Sequence, residues 1–313
     1  MNAKPSLIDI ELIAFPGAPN LPIFVGVEKD FFADAGVRVN LTTTPSSSYQ
    51  IENLVTGVFQ IAGSAIDNII AYQENQGAVA LDRAPDLFVF MGATQIELSF
   101  VVAPEIATYA DLKGKTLALD ALSTGFAFVL YRMLENAGLQ SGDYTMVPVG
   151  ATPDRWESVK SGEHSGTLMI EPFTSMALNQ GFKVLERSSQ TLDHYQGGVF
   201  AASRAWAAAN PAALEGFIGG YLGALDWALD PANREQATAI LARNMPAIKP
   251  AAIGRVMDKL LSPQTGLTPK GALDLDGIRT VLELRSQYGH GGTLHDPGKY
   301  LDLSYYDRVR SRA

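Results

Sequence analysis

Cysteine is absent from all 313 residues. With it go thiolate nucleophiles, cysteine-ligated zinc, iron–sulfur clusters and disulfides, while the redox compartment stays open because a chain without thiols tolerates either kind. Positive charge is scarce: 24 lysines and arginines face 33 aspartates and glutamates, for a net charge of −9. No basic cluster is long enough to track a phosphate backbone, which excludes nucleic acid as a partner. Long apolar runs are missing too, so the chain is not membrane-spanning. Histidines stand only at 164, 194, 290 and 295. None has the i, i+4 spacing around a glutamate that sets two imidazoles on one helix face for zinc, and neither a metal nor a cofactor is expected.

What the chain has is core: 47% of its residues are hydrophobic, enough to fill two domains of about 100–200 residues each. Leu7 to Ala14 reads as a strand, Leu21 to Ala35 as a helix ended by Gly36, and Val37 to Thr42 as a second strand. A helix Ser46 to Thr56, a strand Val58 to Ala62 and a helix Ser64 to Gln76 capped by Ser64 continue a βαβαβα order. Short apolar strands Leu87 to Met91 and Leu98 to Val102 close this unit. A second α/β unit with a parallel-type sheet begins after Pro104. It carries strands at 116–119, 145–149, 166–170 and 182–185 and helices at 126–137, 153–160 and 172–179. From Trp206 onward the pattern is helical, ending in a helix Leu273 to Tyr288. Trp156, Trp206 and Trp227 read as packing residues.

Residues 109–126 carry the strongest functional signal, because strand 116–119 runs straight into the start of a helix. Ser123, Thr124 and Gly125 there offer hydroxyls, free backbone N–H groups and a positive dipole end to an anion. Equally, Ser123 caps its own helix. The segment is no phosphate loop, since Gly114-Lys115-Thr116 is preceded by Tyr109 where the first glycine is required. No serine sits in a Gly-x-Ser-x-Gly elbow, which leaves a hydrolase nucleophile without support. Asn20 either caps the helix that follows or presents its amide to a cleft. Glu171, at a strand end, is either a solvated carboxylate or a partner for a ligand amine or hydroxyl.

An ordered series of motifs resembles the periplasmic substrate-binding proteins of ABC importers for nitrate, taurine and aliphatic sulfonates, a superfamily that includes the fungal thiamine-pyrimidine synthases. It comprises Leu21 to Phe32 followed by Gly36-Val37, Leu54 to Gly57 through Ala65-Ile66-Asp67, Asp111 to Lys115, Leu134 to Leu139 and Glu171-Pro172. Asp30 stands where glycine is usual. The resemblance implies an α/β, two-lobed type II periplasmic-binding-protein fold with a helical C-terminal region. Lobe 1 is then 1–102 plus 196–313, and lobe 2 is 103–195. Hinge closure is expected to clamp a small organic ligand for delivery to an ABC permease. By position, Asn20, Ser64, Gln95, Ser99, Ser123, Thr124, Gly125 and Glu171 line the cleft, with no catalytic residue among them. The cleft loops show no arginine for a bidentate acid clamp, so a neutral or weakly polar ligand fits these hydroxyls nearly as well as a sulfonate or carboxylate.

The synthases' cysteine-rich motif has no counterpart here. The alternative is a cytoplasmic enzyme of the same fold acting on a small aromatic or heterocyclic acid, with Glu171 or His194 moving a proton. No secretory leader reads from Met1 to Pro16, where Asp9 and Glu11 interrupt the apolar patch. The expected location is periplasmic if a leader has been removed and cytoplasmic if Met1 is the native start.

Overall fold

Along β1 (Ile8–Ala14) the side chains divide between two faces: Ile10 and Leu12 enter one apolar cluster and Ile13 another. That is the signature of a strand covered by helices on both sides. The computed structural model describes residues 6–312. β2 (Val37–Thr43) and β3 (Ile61–Ala65) flank β1 and run parallel to it. β4 (Leu87–Thr94) is buried at every position, with Leu87 and Val89 on one face and Phe88 and Phe90 on the other.

The chain crosses to the second sheet at 95–98. There β5 (Ser99–Val102), β6 (Thr116–Leu119), β7 (Thr145–Pro148), β8 (Gly166–Met169) and β9 (Lys183–Arg187) lie in the order β7-β6-β8-β5-β9. It returns through 188–197 as β10 (Gly198–Ser203), which inserts into the first sheet to give β2-β1-β3-β10-β4. Both crossing strands are antiparallel to their neighbours. The second sheet is therefore mixed where the sequence suggested a parallel one. β5, read as the end of the first lobe, pairs in the second sheet.

The helices follow the sequence with informative departures. The stretch from Leu21 breaks in two, Leu21–Glu28 and Phe31–Asp34, because Asp30 between them is left-handed at φ 62°. This is a conformation that glycine adopts more readily than aspartate. Ser64 belongs to β3, and the helix Ile66–Gln73 that follows has no side-chain cap. The C-terminal third supplies Pro211–Leu229, whose Phe217 and Tyr221 pack against Phe200 of β10 with ring centroids 5.2 and 4.7 Å away.

One helix of that third, Leu275–Tyr288, touches both halves. Its Arg285 is fully buried at 0% exposure and grips Asp67 of Ile66–Gln73 with two bonds, Nε to Oδ1 at 2.7 Å and Nη2 to Oδ2 at 2.6 Å. The same Nη2 donates to the Ser123 carbonyl at 2.8 Å, beside the second sheet, and the guanidinium lies 4.8 Å over the Phe128 ring. Further along, Arg132 bonds Glu283 and Gln287, and the Tyr288 hydroxyl donates to Glu135 at 2.6 Å.

Candidate functional site

Strand ends and helix starts from the two sheets face one another across a cavity with about 830 Å³ of empty space, its open mouth included. The two halves meet at its rim. The Ala18 amide donates to the Glu171 carbonyl at 3.1 Å, the Ala151 amide to the Pro45 carbonyl at 2.9 Å, and the Ser47 amide to both Asp120 oxygens at 3.2 and 3.3 Å. The two halves are thus in direct contact around the cavity.

Phe15, Pro19, Ile96, Phe126, Ile170 and Phe200 give the cavity a largely apolar wall. Four of the residues expected from sequence line it: Asn20, Ser64, Thr124 and Gly125. Asn20 is not a side-chain cap. Its amide instead donates to the Phe15 carbonyl at 2.9 Å and holds the first loop in shape. The Ser64 hydroxyl accepts from Asn68 at 3.1 Å, which leaves its own proton free.

Thr124, rather than Ser123, is the cap of Gly125–Asn136: its hydroxyl accepts from the Ala127 amide at 3.4 Å and donates to the Ala121 carbonyl at 3.2 Å. Ser123 presents its carbonyl to Arg285 and does not reach the cavity wall. Gly125 is required by close approach, since a Cβ there would stand 2.6 Å from the Asp67 Cβ across the interface. Thr124→Ala is expected to cost about 1 kcal/mol of stability through the lost cap. Ser123→Ala should stay within about 0.5 kcal/mol of the parent. Equal losses in thermal unfolding would overturn this division of roles.

The remaining expected residues fall elsewhere. Ser99 and Glu171 line an adjoining chamber, while Gln95 lines neither, its backbone amide being spent on Gly266 at 3.2 Å. His194 is on the surface, 3.0 Å from Asp274, and is no cleft histidine.

The largest correction is Arg155, in the helix Thr152–Lys160, which lines the cavity at 2% exposure. Its Nη2 donates to Thr152 at 2.8 Å, but Nε and Nη1 have no partner among the described residues. Burial pushes the guanidinium down to about 10, with Asp120 and Asp154 opposing, so it carries its charge at neutral pH. A buried cation with two idle donors is costly unless an acceptor arrives. A signal for it existed. Thr152-Pro153 opens a helix after a strand of the second unit, as Thr124-Gly125 does, and Arg155 is three residues on, on the face of Thr152.

Two open α/β halves joined by two crossings and closed around a cavity define the periplasmic-binding-protein fold. The chain belongs to the NMT1-like family, whose model matches residues 5–242. Among solved structures, one from Bordetella bronchiseptica RB50 is similar at 20% identity over 97% of both chains, with a TM-score of 0.78. The periplasmic nitrate-binding protein of Synechocystis PCC 6803 is similar at 15% identity over 99% of this chain and 90% of its own, with a TM-score of 0.78. The alkanesulfonate-binding protein of Xanthomonas axonopodis pv. citri, bound to MOPS, is similar at 17% identity over 90% and 93%, with a TM-score of 0.71. No curated protein matches the chain in sequence. Among the described residues no helix is long and apolar enough to cross a membrane.

Proposed function

We propose that this protein is the ligand-binding component of an ABC import system and that it clamps a small organic acid with an apolar, preferably aromatic, body. The observation that carries the reading is Arg155, a buried guanidinium with two unused donors at the wall of an otherwise apolar cavity. A sulfonate or carboxylate supplies charged acceptors for donors that lack them. Phe15, Phe126 and Ile170 then cover the rest of the ligand. The sulfonate seen in the Xanthomonas relative agrees with this chemistry.

Isothermal titration with benzenesulfonate, 3-phenylpropionate and the matched alcohol 3-phenylpropan-1-ol tests the proposal. At least one acid is expected to bind with a micromolar Kd, and the alcohol at least 100-fold more weakly than its acid. Silence from both acids, a preference for the alcohol, or chemical turnover of either acid would sink it.

A further inference from the structure

A second chamber adjoins the first, sharing Pro19, Thr94, Ile96 and Ile170 as a common wall, with about 390 Å³ of empty space. Its chemistry is the reverse of the first. Where the first holds one arginine lacking acceptors, the second holds two carboxylates, Glu97 and Glu171, beside a single lysine, Lys259.

Glu171 lines it. One carboxylate oxygen accepts from the Ser175 amide at 3.3 Å, and the other has no hydrogen-bond partner among the described residues. Beside it, Thr174 is 1% exposed and its hydroxyl has no partner among the described residues. Glu97, the chamber's other carboxylate, is already satisfied: it accepts from Arg187 at 2.9 Å, Ser189 at 2.9 Å and Lys259 at 3.1 Å. Both nearby cations bond Glu97, and across the chamber their charges also favour the Glu171 carboxylate, as Ser175 does. Burial outweighs them and pushes its carboxyl up from the ordinary glutamate value.

We infer that this chamber is a distal subsite for the same ligand, taking a hydrogen-bond donor, foremost an ammonium, carried at the end opposite the acid. The inference rests on the acid reading of Arg155. It narrows the ligand class from organic acids to elongated amino or hydroxy acids whose apolar middle passes Ile96 and Ile170. A site with a buried unpaired acceptor discriminates strongly against an analogue that lacks the matching donor, because the acceptor then stays unsatisfied.

Titration of the full chain with benzenesulfonate and with its 4-aminomethyl, 4-(2-aminoethyl) and 4-hydroxymethyl derivatives tests the subsite. At least one donor-bearing derivative is expected to bind tenfold or more tightly than the parent sulfonate. Glu171→Gln should erase most of the ammonium's advantage over the parent sulfonate. Thr174→Val should reduce the advantage of every derivative a few fold. Equal Kd values across the series would overturn the subsite, as would a Glu171→Gln variant that weakens parent and derivatives alike.

Benzylamine, which has no acid, separates this failure from failure of the acid reading. It should raise the melting temperature of the wild type at millimolar concentration and have no such effect on Glu171→Gln, whatever benzenesulfonate does. No response to benzylamine, together with no preference among the sulfonates, rejects the second chamber on its own. A benzylamine response without any binding of the sulfonates rejects the acid reading, and with it the two-ended ligand.

Discussion

Arg155→Met is expected to weaken binding of the best acid by a factor of several hundred or more while making the empty protein more stable. Each charged hydrogen bond is worth about 1.5–3 kcal/mol, so losing two corresponds to roughly 3–6 kcal/mol, or about 10²- to 10⁴-fold in Kd. The stability gain follows from the same geometry. With Nε and Nη1 unpartnered, the folded empty protein carries the desolvation cost of a cation that methionine, of similar length and apolar, does not have. The sign on stability distinguishes a ligand-binding arginine from a structural one, whose loss would lower the melting temperature. Titration and thermal unfolding of one variant check both halves. Unchanged affinity, or a drop in melting temperature of several degrees, would refute the role given to Arg155.

Arg285→Met should act in the opposite sense, destabilising the protein by about 3–5 kcal/mol because Asp67 is left as a buried, unpaired carboxylate. At 1% exposure, with both oxygens committed to the guanidinium, Asp67 has no water to fall back on. Asp67→Leu combined with Arg285→Met should recover most of the loss, since an apolar pair removes the stranded charge. The single variant should also lengthen the radius of gyration in small-angle scattering, because the bond from Arg285 to the Ser123 carbonyl ties the C-terminal helix to the second sheet. A melting temperature within about a degree of wild type would show that the pair does not carry this load.

Sequence and structure agree best where one residue decides. Gly57 and Gly138 end helices in left-handed conformations, at φ 84° and 82°, that side chains other than glycine rarely take. The strand-to-helix start at Thr116 to Gly125 was legible because periodicity changes there within six residues. Ser64 and Ser123 were misread as caps because a hydroxyl ahead of a helix has the same local pattern whether it caps or not. The Ser64 hydroxyl accepts instead from Asn68, and at Ser123 it is the backbone carbonyl that meets the distant Arg285. Strand direction was illegible for a deeper reason. An apolar run such as Ser99–Val102 is buried on both faces in either orientation, so its sequence does not record which way it runs. Arg155 was missed because a charged residue beside Trp156 and Glu157 in an otherwise polar helix looks like a solvated face. Its burial at 2% exposure is set by the fold around the helix, which local pattern does not contain.

The position of β10 governs the order in which this chain can be assembled. Its residues 198–203 fill the slot between β3 and β4, more than a hundred residues after β4 has ended. Until they arrive the first sheet has a gap, with β3 and β4 each exposing an unpaired apolar edge of the kind that invites aggregation. The second sheet, drawn wholly from 99–187, has no such dependence and can complete its pairing first. The half of the molecule made first is thus the half finished last. Until β10 docks, a complete second sheet can stand beside an open first one, and in that interval the chain's sheet edges are most exposed.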